Sequence, residues 1–170
     1  NIGMQNLNYQ KTKFIVPFFV DMPYVWEHFL ENLFINYYDK KIRIVKQDHH
    51  NAWLINGKNH IIKPDIIFYK DGKITSIIDA KYMKQLVVGG KEMFQIAFYL
   101  NHLNQSTGYA ILPYEEIEDY DIEVPKQNIT IKVKHVPIDE YLDILYSKKP
   151  SKEIKEEISL KLKNLIPLEN

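Results

Sequence analysis

Residues Lys63 to Lys81 have the sequence KPDIIFYKDGKITSIIDAK. Two runs rich in β-branched and aromatic residues, 66–69 and 74–78, flank the turn signal Asp71-Gly72. Such runs on either side of an Asp-Gly pair predict two antiparallel strands joined as a hairpin. The hairpin would bring the carboxylates of Asp65 and Asp79 near one another, with Lys81 beside them.

The register of this hairpin decides whether the two carboxylates share a face of the sheet, because a shift of one residue turns every side chain over. A two-residue loop at Asp71-Gly72 would place Asp65 and Asp79 on opposite faces. A three-residue loop that begins at Lys70 and adds a bulge would place both on the same face as Lys81. Asp65 would then lie diagonally across from Asp79, roughly 7–8 Å away at the backbone. We predict the three-residue loop.

Two carboxylates and a lysine on one face are the minimum equipment for metal-dependent cleavage of a phosphodiester. Oxygen ligands favour a hard cation, Mg²⁺ or Mn²⁺, over zinc. Lys81 could orient a water bound to the metal or stabilise negative charge on the phosphate. The alternative interpretation is that Asp65 and Asp79 are ordinary strand-end residues and that Lys81 is a solvated edge residue, since short motifs often match by accident.

Two predicted helices carry further candidates. The first begins at Asp21-Met22-Pro23, an N-cap carboxylate followed by a proline, and places Glu27 beside an apolar stripe. Glu27 could contact the metal or could simply complement the helix dipole. In the second helix, Gln95 and Tyr99 are one turn apart and share a face. They could hydrogen-bond a phosphate or Lys81, or Tyr99 could belong to the core.

The order of these elements resembles that of the PD-(D/E)xK nucleases in their RecB-like branch. The elements are a helical glutamate, Pro-Asp on a strand, Asp-Ala-Lys-Tyr on the next strand and Gln-x-x-x-Tyr on a helix: Glu27, Pro64-Asp65, Asp79-Ala80-Lys81-Tyr82 and Gln95 to Tyr99. More narrowly, residues 14–136 resemble the nuclease domains of McrC proteins, the cleavage subunits of McrBC modification-dependent restriction systems. That resemblance adds the runs 18–22 and 108–114, with Trp26 where the family usually has phenylalanine.

The resemblance implies a role for each matching residue. Asp65, Asp79, the Ala80 carbonyl and Glu27 would be ligands of Mg²⁺, for which Mn²⁺ could substitute. Lys81 would be the catalytic lysine, with Gln95 and Tyr99 as supporting residues near the substrate. The residues by themselves lead only to the group of Asp65, Asp79 and Lys81.

The length of 170 residues and the 45% hydrophobic content predict one α/β domain. The resemblance implies a restriction-endonuclease-like core with a mixed central sheet flanked by helices. We expect a flexible segment at 1–13, the nuclease core at 14–136 and a helical extension at 137–170. The patterns predict strands at about 42–48, 53–56, 62–69, 74–82, 107–113 and 129–136, helices at about 22–38, 91–104, 138–146 and 151–166, and a surface loop at 115–126.

Charge and cysteine content limit the classes of function. The chain has 22 basic and 22 acidic residues, whereas a stand-alone DNA binder usually has a basic excess. Lys84 and Lys91 are the preferred DNA contacts because they lie close to Asp79 in the sequence; other clusters are Lys40, Lys41, Arg43 and Lys46, and Lys126, Lys132 and Lys134. The absence of cysteine excludes disulfides, thiolate zinc sites and iron–sulfur clusters. Neither a membrane span nor a signal peptide is evident, so we expect a cytoplasmic protein.

Three hypotheses of function follow. The first is a metal-dependent DNA endonuclease of the McrC type that works with a McrB-type AAA+ GTPase motor, since the chain contains no phosphate-binding G-x-x-x-x-G-K-[ST] loop of its own. The second is a RecB-like repair or recombination nuclease without a motor partner, which should prefer free DNA ends. The third is a non-catalytic binding module on a nuclease fold. The sequence leaves homo-oligomer formation open.

Overall fold

The computed structural model of the chain describes residues 19–113 and 117–168, so the predicted flexible segment 1–13 lies outside the described residues. The described helices are α1 (Met22–Tyr37), α2 (Lys91–His102), α3 (Ile138–Leu145) and α4 (Ser151–Leu165). The described strands are β1 (Arg43–Lys46), β2 (His50–Ile55), β3 (Lys58–Ile62), β4 (Ile66–Lys70), β5 (Lys73–Ala80), β6 (Thr107–Leu112), β7 (Tyr120–Val124) and β8 (Ile129–His135). None of these helices is long and apolar enough to cross a membrane.

Six strands form one mixed sheet in the order β1-β4-β5-β6-β8-β7. β5, β6 and β8 run parallel to one another, while β1, β4 and β7 pair antiparallel with their neighbours. Parallel neighbours need a long crossover, and α2 supplies the one between β5 and β6. β2 and β3 form a separate two-stranded hairpin.

The sheet has a hydrophobic core on each face. Ile77 and Ile78 are adjacent on β5 and fully buried, yet they belong to opposite cores because successive strand side chains point to opposite faces. Helices α1, α3 and α4 cover the Ile78 face, and α2 and the β2–β3 hairpin cover the Ile77 face. The expected α/β domain with a mixed central sheet flanked by helices is therefore confirmed. One face of α4 packs into the core, with Ile158 and Leu162 fully buried.

Helix α1 has a fixed start and a fixed position on the sheet. Asp21 is its N-cap, and its carboxylate accepts a hydrogen bond of 3.2 Å from the Tyr24 backbone N–H. The indole of Trp26, which is 2% exposed, donates to the Ile111 carbonyl of β6 at 3.0 Å. This contact positions Glu27, the next residue, at the end of the sheet.

Helix α2 packs unusually closely on β6. A Cβ atom at Gly108 would lie 2.7 Å from the Leu100 side chain, a distance that real Cβ atoms essentially never show. Glycine at this position therefore lets α2 approach the sheet, and it sets the height of Gln95 above β5.

Two predicted elements are wrong. The strand predicted at 62–69 is two strands, since β3 ends at Ile62 and β4 begins at Ile66. Pro64 lies between them and has no backbone N–H to donate to a ladder. The surface loop predicted at 115–126 contains edge strand β7, which pairs with β8. Ile122 of β7 is buried while the flanking acidic residues are exposed, an alternation typical of a strand with one face in solvent.

Candidate active site

The hairpin between β4 and β5 does not have the three-residue loop that the sequence analysis predicts. Lys70 pairs with Lys73, which leaves Asp71 and Gly72 as a two-residue loop. Both loop residues are left-handed, with φ of 52° and 77°, as a type I′ turn requires. The extra residue lies within β5 instead: Phe68 pairs with Ser76 and Tyr69 with Ile74, so Thr75 forms a bulge.

The bulge at Thr75 places Asp65 and Asp79 on the same face of the sheet, which a two-residue loop alone would not do. Beyond it, Ile66 pairs with Ile78, so the next position on each chain places Asp65 level with Asp79. The predicted diagonal arrangement, with Asp65 opposite Ile77, is therefore wrong, but the two aspartates lie on the same side of the hairpin. The Asp65 carboxylate accepts a hydrogen bond of 2.7 Å from the Ala80 backbone N–H, which holds it against the end of β5.

A cleft of about 450 Å³ opens at this end of the sheet. Its walls come from the start of α1, the ends of β4 and β5, and the start of α2; they are Asp21, Pro23, Tyr24, Glu27, Asp65, Ala80, Lys81, Tyr82, Met83, Lys91, Glu92 and Gln95. Asp79 and Tyr99 are buried behind this lining. Lys84 is exposed and does not line the cleft.

Asp79 is the most deeply buried carboxylate of the described residues, at 1% exposure. It forms an ion pair with the Lys81 ammonium, and neither of its oxygens accepts a hydrogen bond of regular geometry from the described part of the chain. Burial raises the pKa of Asp79 above its ordinary value, although the Lys81 charge opposes that shift. Buried polar atoms normally have partners, so this carboxylate fits a site for a cation.

Lys81 begins a chain of three polar side chains. Its ammonium donates to Gln95 Oε1 at 3.1 Å, and Gln95 Nε2 donates to the Tyr99 hydroxyl at 2.7 Å. Burial alone would lower the pKa of Lys81, but the adjacent Asp79 carboxylate reverses the effect and leaves the pKa above its ordinary value. Lys81 is therefore a positively charged ammonium at neutral pH. Gln95 and Tyr99 share a helix face, as their spacing predicts.

The pKa of the Asp65 carboxyl is strongly raised. Burial, together with the charges of Asp79 and Glu27, raises the pKa of Asp65 to about 8, against the lowering effect of its hydrogen bond from the Ala80 N–H. The metal-free cleft therefore favours the protonated form of this carboxyl at neutral pH, first because it is buried and second because Asp79 is close.

Glu27 has a partner that sequence reasoning missed. Its Oε1 accepts a hydrogen bond of 2.7 Å from Gln47 Nε2. The Gln47 backbone N–H also donates to the Asp65 carbonyl at 2.8 Å. Nothing in the local sequence signals this role, since Gln47 only follows the first strand and becomes a neighbour of Glu27 through the tertiary fold.

The oxygen donors of Asp65, Asp79, Ala80 and Glu27 suit a hard divalent cation by type. Among residues 19–113 and 117–168, however, no three His, Cys, Asp or Glu side chains are already grouped as a metal site. Glu27 is turned toward Gln47 and Asp79 toward Lys81. Binding of a cation would thus require Asp79 to exchange its partner Lys81 for the metal.

Three of the basic residues considered as DNA contacts have surroundings that bear on that role. Lys91 lines the cleft, beside Gln95. Lys46 and Lys134 instead pair with acidic side chains, Lys46 with Glu31 at 3.4 Å and Lys134 with Asp119 at 3.0 Å. Their charges are partly neutralised within the protein.

The fold and this cleft define an α/β protein with a cluster of ionisable groups where two central strands end. Residues 3–115 match the family described as McrBC 5-methylcytosine restriction system component, and the chain belongs to that family. No curated protein matches the chain.

A solved structure has a similar fold. It is a refined half-complex from a tetradecameric assembly of Thermococcus gammatolerans McrB AAA+ hexamers with bound McrC. The matched chain is 16% identical with a TM-score of 0.59, and the match covers 88% of the present chain. It covers 34% of the other chain, so the present chain spans about one third of the length of the chain it matches. At this identity the similarity establishes the fold alone.

Proposed function

We propose that this chain is a PD-(D/E)xK nuclease domain that hydrolyses phosphodiester bonds in DNA as the cutting component of a McrBC-type restriction system. The observation that carries the proposal is one cleft that collects Asp65, Lys81, Gln95 and Glu27 above the buried Asp79 carboxylate. Perturbed ionisable groups gathered in a cleft are typical of catalytic sites, whereas isolated buried charges usually are not. Membership of a restriction family agrees with that chemistry.

The residues that would hold the metal are Asp65, Asp79, the Ala80 carbonyl and Glu27. Mg²⁺ or Mn²⁺ bound there would polarise the scissile phosphate and lower the pKa of a bound water. Asp79 is almost completely buried, and the pKa values of Asp65 and Asp79 are both raised; a bound cation would stabilise both ionised carboxylates, which supports this assignment.

Lys81 supplies a fixed positive charge in the wall of the cleft. Its hydrogen bond to Gln95, which in turn donates to Tyr99, restricts where the ammonium can point. A charge already oriented toward the place where negative charge develops stabilises the transition state without reorganisation. Because its pKa is raised, Lys81 acts as an electrostatic stabiliser and not as a general base. Lys91, at the rim, would contact a backbone phosphate of the DNA.

The proposed core comprises residues 14–136, with 137–170 as a helical extension; α3 and α4 of that extension share the hydrophobic core of α1. The proposed partner is an AAA+ GTPase of the McrB type, since the chain has no phosphate-binding loop and the similar solved assembly contains McrB AAA+ hexamers. Such a motor would deliver DNA to the cleft in the cytoplasm.

The test is cleavage of linear and supercoiled plasmid DNA by the purified chain with Mg²⁺ or Mn²⁺, with and without a McrB-type partner. The Asp79→Asn variant is the control, and thermal unfolding with added metal is followed in parallel. Cleavage or metal-dependent stabilisation that vanishes in the variant supports the proposal. Wild-type protein that shows neither, even with the partner present, contradicts it. Cleavage restricted to free ends without a partner would favour a repair-like nuclease.

A further inference from the structure

Gln47 has an uncommon backbone conformation for its residue type. Five described residues other than glycine have a positive φ, and four of them are asparagine or aspartate: Asn56, Asp71, Asn104 and Asn128. Asparagine and aspartate tolerate the left-handed region best because their short polar side chains hydrogen-bond locally. The fifth is Gln47, at φ 45°. Asparagine would suit the backbone better here, so the longer side chain calls for another explanation.

The explanation is the length of the glutamine side chain, which lets its amide reach Glu27. Gln47 Nε2 donates to Glu27 Oε1 at 2.7 Å, and the Gln47 backbone N–H donates to the Asp65 carbonyl at 2.8 Å. One residue thus joins two of the carboxylate-bearing residues of the cleft, which lie on different elements. An asparagine amide at this position would be shorter by one carbon–carbon bond, about 1.5 Å, and could not reach Glu27 without movement of the backbone.

We propose that Gln47 is a positioning residue that orients the Glu27 carboxylate for metal binding, an inference that rests on the function proposed above. Glu27 is half-buried on α1 and would otherwise sample several rotamers. The amide bonds Oε1 of a carboxylate that lines the cleft, and a carboxylate has a second oxygen with which to bind a cation. Binding a cation to a carboxylate already held in place costs less conformational entropy than binding to a mobile one.

The adjacent residue provides a matched control. Lys46 contacts Glu31, one helical turn beyond Glu27, at 3.4 Å. Consecutive residues at the end of β1 therefore make equivalent contacts to consecutive turns of α1, but Glu31 does not line the cleft. A Lys46→Met variant removes a contact between β1 and α1 without changing the environment of Glu27.

The experiment measures Mn²⁺ binding to the purified chain by calorimetry, together with steady-state cleavage of DNA. We expect Gln47→Asn to fold normally, with an unchanged or higher Tm, because asparagine suits the left-handed backbone. Its Kd for Mn²⁺ should rise about tenfold or more, the usual effect of removing a hydrogen bond to a metal ligand. kcat should fall while KM for DNA stays the same. Lys46→Met should leave the Kd for Mn²⁺ unchanged.

A double-mutant cycle separates positioning from general stability. In a Glu27→Ala background, Gln47→Asn should have no further effect on the Kd for Mn²⁺, because there is no carboxylate left to orient. Gln47→Gly, which also accepts the backbone conformation, repeats the test if Gln47→Asn does not fold.

Two outcomes overturn the inference in distinguishable ways. Suppose that wild-type protein binds Mn²⁺ and that either Gln47→Asn or Gln47→Gly binds it with the same Kd; Gln47 then has only a structural role. The same conclusion follows if the substitution weakens Mn²⁺ binding by the same factor whether Glu27 is present or replaced by alanine. If wild-type protein neither binds Mn²⁺ nor cuts DNA, the proposed function itself is wrong and the positioning role falls with it.

Discussion

Two carboxylates of the described residues are almost completely buried, Asp79 at 1% and Glu31 at 2% exposure, and their surroundings differ. Each pairs with one lysine. The partner of Glu31 is Lys46, whose side chain is 57% exposed, whereas the partner of Asp79 is Lys81, whose side chain is 15% exposed. Glu31 therefore pairs with a solvated charge at the edge of the sheet, and Asp79 pairs with one enclosed in the protein.

The second difference lies in the charged groups that surround each carboxylate. Burial has the largest effect on both acids, but the charge of Asp79 also raises the pKa of Asp65, and the charge of Glu27 raises the pKa of Asp79. Glu31 has a histidine and a lysine nearby. Burial alone thus does not distinguish Asp79, which we propose as a metal ligand, from Glu31. Like charges that the fold holds together at a cost in stability are the better indicator.

The largest expected effect comes from removing the charge of Asp79. We expect Asp79→Asn to abolish both Mn²⁺ binding and DNA cleavage, while the metal-free protein becomes less stable because the enclosed Lys81 ammonium loses its carboxylate partner. Thermal unfolding without metal and a plasmid cleavage assay measure the two effects. A variant that retains cleavage would place the site elsewhere.

Lys81→Ala should separate chemistry from metal binding. The Kd for Mn²⁺ should remain close to that of wild type, while kcat falls by about 10²–10³-fold, the usual cost of losing one electrostatic stabiliser of the transition state. Calorimetry and single-turnover cleavage provide the two values. Loss of metal binding together with activity would mean that Lys81 supports the ligands instead of the reaction.

The acidity of Asp65 predicts how stability depends on pH. Its pKa is about 8 in the folded protein, against 3.8 for an unperturbed aspartate, so between these values the folded state holds a proton that the unfolded state has released. Stability from this group is complete below pH 3.8 and is lost as pH rises to about 8. Denaturant unfolding of the metal-free protein across this window should show the decline. Asp65→Asn should flatten it; an unchanged slope in the variant would assign the effect to another group.

Gln95 should matter less than either aspartate. Gln95→Ala removes the acceptor for Lys81 and the donor to Tyr99, and we expect kcat to fall about tenfold, equivalent to about 1.4 kcal/mol. Phe94→Ala, at the adjacent and 60% exposed position, is the matched control and should leave kcat unchanged. Equal losses in both variants would indicate a general disturbance of α2.

Glu31→Gln should have the smallest effect on activity. We expect cleavage within about twofold of wild type, because Glu31 lies outside the cleft and its substitution changes no cleft contact. A loss comparable to that of Asp79→Asn would show that burial, and not the grouping of charges, marks the functional carboxylates of this protein.

The part of the site that local sequence signals specify was predictable. Local preferences predict the Asp-Gly turn, the two apolar runs and the helical spacing of Gln95 and Tyr99. The structure brings Asp65, Lys81 and Gln95, which lie on or beside these elements, into one cleft. The bulge at Thr75 was not predictable, because its place depends on how two strands pair and not on threonine itself. An extra residue in the loop, as the sequence predicts, would have the same effect on parity but would give a different register.

Gln47 and β7 were missed for a related reason. Gln47 contacts Glu27 only when the end of β1 meets α1, a contact between residues 20 positions apart in the sequence. The acidic residues and Pro125 around β7 favoured a loop, and pairing with β8 at the edge of the sheet overrides that preference.

The bulge at Thr75 also has a genetic consequence. Deletion of its single codon would leave every residue of the cleft unchanged in identity. Yet the hairpin could then keep its Asp71-Gly72 turn only by rotating Asp79 away from Asp65, or keep the two aspartates together only by adopting a different turn. An in-frame deletion at an unremarkable threonine would thus inactivate the proposed nuclease as completely as a substitution in its cleft, and in a survey of natural variants it would pass for a harmless length polymorphism.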